Sequence, residues 1–323
     1  MSLRGLSTEE VFERATAGER RALGRVLTFV ERAGEAADIV TDLSHPLGGS
    51  AHIVGITGAP GAGKSTLTGQ LTRLLPERGV RPAVLAVDPS SPLTGGAILG
   101  DRIRMDDVAG DDVFIRSVAT RGHAGGLALS IPGGVRAFDA AGYDPVIIET
   151  VGVGQVEVDV VGAADTTVVV VNPGWGDAVQ ANKAGLMEVA DIFVINKADR
   201  PGAADSRRDL DLMLDLSHVT GQESRTGYRP PIIMTTATDG TGADELWDAI
   251  VAHRVHLETT GELAVRRAAR HHYEVTHRLE QLVADGIAIA LAEDEGAALL
   301  ADVAAKRISP ADAARVIATR ILR

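Results

Sequence analysis

GITGAPGAGKST, residues 55–66, stands between an apolar run that begins at Ile53 and a segment of helical composition. Glycine weakens strand and helix alike, so four glycines and a proline in this stretch serve something other than core packing. Gly58, Ala59, Pro60, Gly61, Ala62, Gly63, Lys64 and Ser65 fit the phosphate-loop pattern G-x-x-x-x-G-K-[ST] in full, in the strand-then-helix context that it requires. The glycines let backbone N–H groups turn inward around phosphate oxygens, and the helix N-terminus adds its positive dipole end. Lys64 is placed to reach the β and γ phosphates, Ser65 to offer its hydroxyl to Mg2+, and Thr66 to contact the α phosphate. The pattern points to a nucleoside triphosphate and leaves the base open. The plainer alternative is an ordinary glycine-rich turn.

Outward from this loop, short apolar runs recur at 53–58, 83–88, 113–118, 145–150, 166–172, 191–196 and 231–236, each closing on polar residues or glycine. They are β-branched and nearly continuous rather than alternating, as in strands buried on both faces. Segments 64–76 and 178–190 have helical length. The fold class inferred is α/β, a mostly parallel, doubly wound sheet flanked by helices over residues 51–255. Ligands in such sheets bind beyond the C-terminal strand ends. Residues 1–50 read as a helical region. Ser7-Thr8-Glu9-Glu10 looks like a capping box, and Val11, Leu23, Val26, Leu27 and Val30 could share one apolar stripe before Pro46, Gly48 and Gly49 break the pattern. Residues 256–323 are helical again, with breaks expected at Gly286 and Pro310. An arm of this kind needs the domain or another subunit to pack against.

The chain has 323 residues, of which 45% are hydrophobic and only 3% aromatic, so its core must be built from Val, Ile, Leu and Ala. A net charge of −12 disfavours nucleic acid and anionic membranes as partners. The absence of cysteine excludes disulfides and thiolate metal sites. The first residues lack an apolar signal core, and no stretch approaches the roughly 20 apolar residues that span a bilayer. A cytoplasmic protein is expected.

Asn196-Lys197-Ala198-Asp199 follows the run at 191–196 and fits [NT]-K-x-D, a guanine-reading pattern. A carboxylate at Asp199 can accept from both N1–H and the exocyclic amine of guanine, a pair that adenine does not present. The Lys197 stem can lie over the base, and Asn196 can tie this loop to the phosphate cradle. Thr236-Ala237-Thr238, after the run at 231–236, is similar to the Ser-Ala-x loop whose backbone N–H meets the guanine carbonyl. These elements stand in the order expected for GTP.

Acidic residues at adjacent strand ends suit Mg2+. Asp88 and Glu149 close the runs at 83–88 and 145–150. Asp101 lies in the loop after the first of these and reads equally as a solvated carboxylate. Glu149 takes the Walker-B place, and Gly152, three residues on, is positioned for its N–H to meet a γ phosphate. Gln155 is not spaced as a water-positioning glutamine. Turnover of the isolated chain should therefore be slow. The loop from Asn172 through Trp175 and Asp177 to Lys183 is polar and glycine-broken, either a long connection or an element that reports nucleotide state. His271, His272 and His277 lack the companions of a metal site, and nothing compels a role for His123.

GITGAPGAGKST, AVDPSSP at 86–92, GGAILGDRIRM at 95–105, ETVGVGQVEVDV at 149–160, NPGWGD at 172–177 and NKAD at 196–199 together resemble the MeaB/ArgK/MMAA family of SIMIBI-class P-loop GTPases over essentially the whole chain. The resemblance implies a GTP-binding and GTP-hydrolysing chaperone that gates adenosylcobalamin delivery to methylmalonyl-CoA mutase and protects that enzyme. It implies GTP/GDP and Mg2+ as ligands and a homodimer joined through the C-terminal arm. It places Lys64, Ser65, Asp88, Asp101 and Glu149 at the phosphates and Mg2+, and Asp177 and Lys183 in a partner-coupling switch. Thr236 and Thr238 depart from the Ser and Leu usual in the third base loop, where the contact is largely backbone. Rival readings are a metal-insertion GTPase, which the lack of cysteine opposes, and a targeting GTPase, which would need a basic, methionine-rich domain. Another is an amino-acid transport-associated kinase or ATPase, opposed by the guanine motif and the absence of a membrane segment.

Overall fold

The computed structural model describes residues 3–89, 112–120, 126–150, 162–174, 189–219 and 227–321. At its start Ser7 caps α1 (Thr8–Thr16). The Glu10 N–H donates to Ser7 Oγ at 3.2 Å, and the Ser7 N–H donates to Glu10 Oε2 at 2.8 Å, the reciprocal box read from the sequence. Helices α2 (Arg20–Arg32) and α3 (Glu35–Ser44) follow. Val11, Leu23, Val26, Leu27 and Val30 are all buried, but two helices share the stripe: Val11 lies on α1 and the others on α2.

Seven strands form one sheet: β1 (Ile53–Gly58), β2 (Ala83–Pro89), β3 (Phe114–Thr120), β4 (Val146–Thr150), β5 (Thr166–Val171), β6 (Ile192–Asn196) and β7 (Ile232–Thr235). Their order is β3-β2-β4-β1-β5-β6-β7, and every neighbouring pair is parallel. Helices α4 (Lys64–Glu77), α5 (Gly126–Ala140), α6 (Ala203–Val219) and α7 (Ala243–Thr260) cover the two faces. On one face Ile53, Leu85 and Ile148 meet the N-terminal helices and α5, and further along Val169 and Phe193 meet α6. On the other, Val54, Ile56, Val168 and Val194 meet α4 and α7. Successive strand residues alternate faces, yet both faces are buried, and this explains the unbroken apolar runs. Three of the few aromatics meet at α5: Phe114, Phe138 and Tyr143 pack edge to face with centroids 5.5 to 6.0 Å apart.

Residues 1–270 form one compact unit and 271–323 a second. Helix α8 (Glu262–Ala292) starts in the first, and α9 (Asp294–Ala304) and α10 (Pro310–Ile321) belong to the second. The break expected at Gly286 does not occur; α8 runs through it. A Cβ at Gly286 would stand 3.1 Å from Ile321 Cγ2, so the bare Cα serves close approach of α10. The chain turns instead at Glu293, and Pro310 opens α10, where its missing N–H costs nothing.

The N-terminal edge of the sheet holds a buried polar chain. His52 Nε2 lies 2.7 Å from Thr166 Oγ1, which lies 2.8 Å from His253 Nδ1, while His253 Nε2 is 3.4 Å from Asp191 Oδ1. The carboxylate can only accept, so the His253 proton sits on Nε2. Thr166 then donates to His253 Nδ1 and accepts from His52. Burial holds both imidazoles down to about 4 from 6.5. They stay neutral in the fold while the unfolded chain takes up protons. Stability is therefore full above about pH 6.5 and falls as pH drops towards 4, because the unfolded state binds more protons throughout that window. Each histidine contributes at most about 3 kcal/mol to this loss. Urea midpoints should fall steadily between pH 7 and 4.5, and a His52→Gln/His253→Gln variant should show a flatter profile. An unchanged slope in that variant would remove these histidines from the account.

Candidate functional site

The loop between β1 and α4 is shaped by what its neighbours forbid. Gly58 has φ +136° and Gly63 φ +92°. A Cβ on Gly58 would run into the Val170 carbonyl of β5, and one on Gly63 into the Asn196 side-chain amide. Both positions admit only glycine, because the loop is pressed against the adjacent strand ends. Lys64 opens α4 and is buried, and its Nζ donates to the carbonyls of Gly58 at 2.7 Å and Ala59 at 3.2 Å. These bonds fix an ammonium at the mouth of the loop, beside the helix N-terminus.

Ser65 Oγ donates to Glu149 Oε1 at 2.5 Å. Glu149 sits on β4 and is 1% exposed. A hydroxyl oxygen and a buried carboxylate thus converge at the start of α4. That hard-oxygen donor set fits Mg2+, which takes few protein ligands and keeps several waters. Asp88 lies one residue past the register pair Val87↔Thr150, which places its backbone level with the end of β4. Asp101, Gly152, Gln155, Trp175, Asp177, Lys183 and His123 fall outside the described residues. Among the described residues no cluster of three or more His, Asp or Glu is arranged to hold a metal.

The second half of the site follows β6. The Asn196 side chain is buried and works in both directions. Its Nδ2 donates to the Ala62 carbonyl at 2.8 Å, and its Oδ1 accepts from the Ala237 N–H at 3.0 Å and from Thr235 Oγ1 at 3.2 Å. One amide thereby joins the phosphate loop to the segment Thr236-Ala237-Thr238. Lys197 has φ +59°, and its Nζ donates to the Gly61 carbonyl at 2.7 Å. The Ala198 N–H donates to the Thr235 carbonyl at 3.0 Å, which leaves Asp199 at the loop tip with its carboxylate exposed. Thr66 lies in the first turn of α4. The structure therefore brings residues 58–66, Glu149, 196–199 and 236–238 to one edge of the sheet, at the C-terminal ends of β1, β4, β6 and β7.

Two ties were not read from the sequence. Gln70 on α4 donates from Nε2 to the Ala237 carbonyl at 2.8 Å, and Asn172, just past β5, reaches the Gly61 carbonyl at 3.5 Å. Asn172 carried a signal, being the polar residue that closes an apolar run. Gln70 carried none, since a glutamine on a helix is ordinarily solvated.

Comparison with known proteins adds a family to this geometry. A sequence model described as methylmalonyl Co-A mutase-associated GTPase MeaB matches residues 23–292. A relative from Pyrococcus horikoshii, designated only provisionally as a GTPase, is 46% identical over 315 residues, covering 97% of this chain and 98% of its own. The Escherichia coli GTPase ArgK is 39% identical over 259 residues, covering 79% of this chain and 78% of its own. The mouse mitochondrial methylmalonic aciduria type A homolog is 37% identical over 219 residues, 68% of this chain and 52% of that protein. Among solved structures, one described as a LAO/AO transport system kinase matches the whole of both chains with a TM-score of 0.68 and 28% identity.

Proposed function

The chain belongs to the MeaB family of methylmalonyl-CoA mutase-associated GTPases, and we propose that it is a GTP-operated chaperone which gates adenosylcobalamin delivery to such a mutase and protects it. The observation that carries this reading is the family match over 23–292, which takes in every described element of the site. The chain is a GTPase that binds GTP and GDP. Among the described residues no helix is long and apolar enough to cross a membrane, and a cytoplasmic location is part of the proposal.

In this reading Gly58 to Thr66 wrap the phosphates, and Lys64 neutralises charge that builds on them during hydrolysis. Ser65 and Glu149 hold Mg2+, joined by Asp88 and Asp101; bound there, the ion would draw charge from the β and γ phosphates. Gly152 meets the γ phosphate, Asn196, Lys197 and Asp199 read guanine, and residues 236–238 close over the base. Asp177 and Lys183 couple nucleotide state to the client. Residues 51–255 would act as the GTPase core, 1–50 as its helical buttress and 256–323 as a dimerisation arm. A stripe on α8 supports a homodimer: Val275, Leu279, Leu282 and Ile289 recur at helical spacing and are 57 to 67% exposed. Apolar residues so placed on one helix face suit a second copy of the same helix.

The test is capture by an adenosylcobalamin-dependent acyl-CoA mutase. Tagged protein loaded with GDP or with a non-hydrolysable GTP analogue is mixed with purified methylmalonyl-CoA mutase. Retention that differs between the two nucleotides, with [γ-32P]GTP yielding free phosphate and no labelled acceptor, is expected. Absence of binding in both states would overturn the mutase reading, and stoichiometric transfer of label to protein or amino acid would replace it with the kinase alternative.

A further inference from the structure

The edge of the sheet opposite the nucleotide loops is tied by an aspartate ladder. The Ile53 N–H at the start of β1 donates to Asp165 Oδ2 at 3.0 Å, just ahead of β5. The Thr167 N–H of β5 donates to Asp191 Oδ2 at 2.8 Å, just ahead of β6. Three arginines in the first turns of α8 grip the same two carboxylates. Arg266 forks onto Asp191 at 2.8 and 2.9 Å and also donates to the Asp165 carbonyl at 2.9 Å. Arg267 bridges Asp165 at 3.1 Å and the Ala51 carbonyl at 3.0 Å, and also reaches the Gly49 carbonyl. Arg270 binds Asp165 at 3.1 Å and the Ala163 carbonyl at 2.5 Å. Asp165 is wholly buried. Burial alone would raise its carboxyl, but Arg270 and Arg267, with the Ile53 N–H, hold it below its ordinary value. All of these groups lie within the first unit.

The strands gripped here are the ones that carry the site at their other ends. β1 runs from Ile53 to the phosphate loop, β5 from Thr166 to Val170 and Asn172 against that loop, and β6 from Ile192 to Asn196. We propose that Arg266, Arg267 and Arg270 form a clamp through which nucleotide occupancy is read at the root of α8. The proposal rests on guanine nucleotide bridging the loops after β1 and β6. A ligand that touches both loops spans two strand spacings, roughly 10 Å, with β5 between. Drawing β1 and β6 towards the intervening β5 at one end shifts the strands' relative positions at the other. Arg266 bridges the starts of β5 and β6, and Arg267 bridges the start of β5 and the approach to β1, so neither shift leaves the clamp unchanged. Fork geometry between ions weakens steeply with misalignment, which makes these bonds sensitive to small shifts. The buried order Thr166–His253–Asp191 has the look of a nucleophile line, but Thr166 is 0% exposed. No substrate reaches it, and it serves instead as another tie across the same strand starts.

Linkage makes the coupling reciprocal. Hydrogen–deuterium exchange on the full chain, with and without GDP and Mg2+, reads it directly. Amides in 266–272 should exchange about fivefold or more slowly with nucleotide, alongside those in 55–66 and 196–199. Arg266→Lys keeps the charge but cannot fork onto Asp191. It should erase the nucleotide-dependent difference at 266–272 and weaken GDP binding by about fivefold, with a cooperative thermal transition retained. Protection of 55–66 and 196–199 with none at 266–272 would overturn the clamp and leave nucleotide binding standing. Protection nowhere would overturn both. A merely structural Arg266 would lower the melting temperature in the lysine variant and leave the nucleotide-dependent difference intact, which also counts against the proposal.

Discussion

Lys64→Ala should lower the GTP hydrolysis rate by about three orders of magnitude and leave the fold in place. The ammonium is held by the Gly58 and Ala59 carbonyls at the mouth of the loop. In the proposed reading it is in position before phosphates arrive, and no reorganisation would be needed as negative charge spreads over the transferred group. Such preorganised donors are worth most where water is thin, and Lys64 is 6% exposed. The substitution removes the desolvation cost of a buried charge together with its two bonds to the loop carbonyls, and these effects on stability oppose one another. Its thermal midpoint should stay within about 5 °C of the parent. Single-turnover hydrolysis and a melting curve on the same preparation check both halves. Activity within tenfold of the parent would take Lys64 away from the phosphates.

Asp199→Asn should weaken GTP binding by about a hundredfold or more and raise affinity for xanthosine triphosphate. The carboxylate sits exposed at the tip of a loop held by the Ala198 N–H on the Thr235 carbonyl and by Lys197 on the Gly61 carbonyl. In the proposed reading it accepts from guanine N1–H and the exocyclic amine. An amide offers one acceptor and one donor, so its NH2 would face the amine donor to donor. Xanthine carries an oxygen at that position, and the mismatch becomes a match. Competition against a fluorescent guanine nucleotide measures both shifts. If Asp199→Asn left GTP affinity unchanged, the base would be read elsewhere.

The strands were readable in the sequence because burial on both faces forces unbroken β-branched runs. TTVVVV of β5 and IFVIN of β6 are buried along their whole length. The run at 113–118 is displaced to Phe114–Thr120, since pairing with β2 rather than hydrophobicity sets where a strand ends. The capping box at Ser7 and Glu10 was readable because it is local. Gly286 misled, because glycine within a helix signals either a break or a close contact and only the presence of Ile321 distinguishes them. Asn196 beneath Ala62 follows from motif order, whereas Gln70 on Ala237 does not. The arginines of α8 were least readable. Arg266 and Asp191 are 75 residues apart and Arg267 and Ala51 216 apart, and a basic helix face reads from sequence as solvated.

One pocket is proposed to hold a triphosphate on backbone amides and to select guanine through one carboxylate. Calorimetric titration of the full chain with GTP and then ATP, both with Mg2+, tests it most directly. GTP should bind at least about a hundredfold more tightly than ATP. Equal affinity for the two, or heat from neither, would contradict the account.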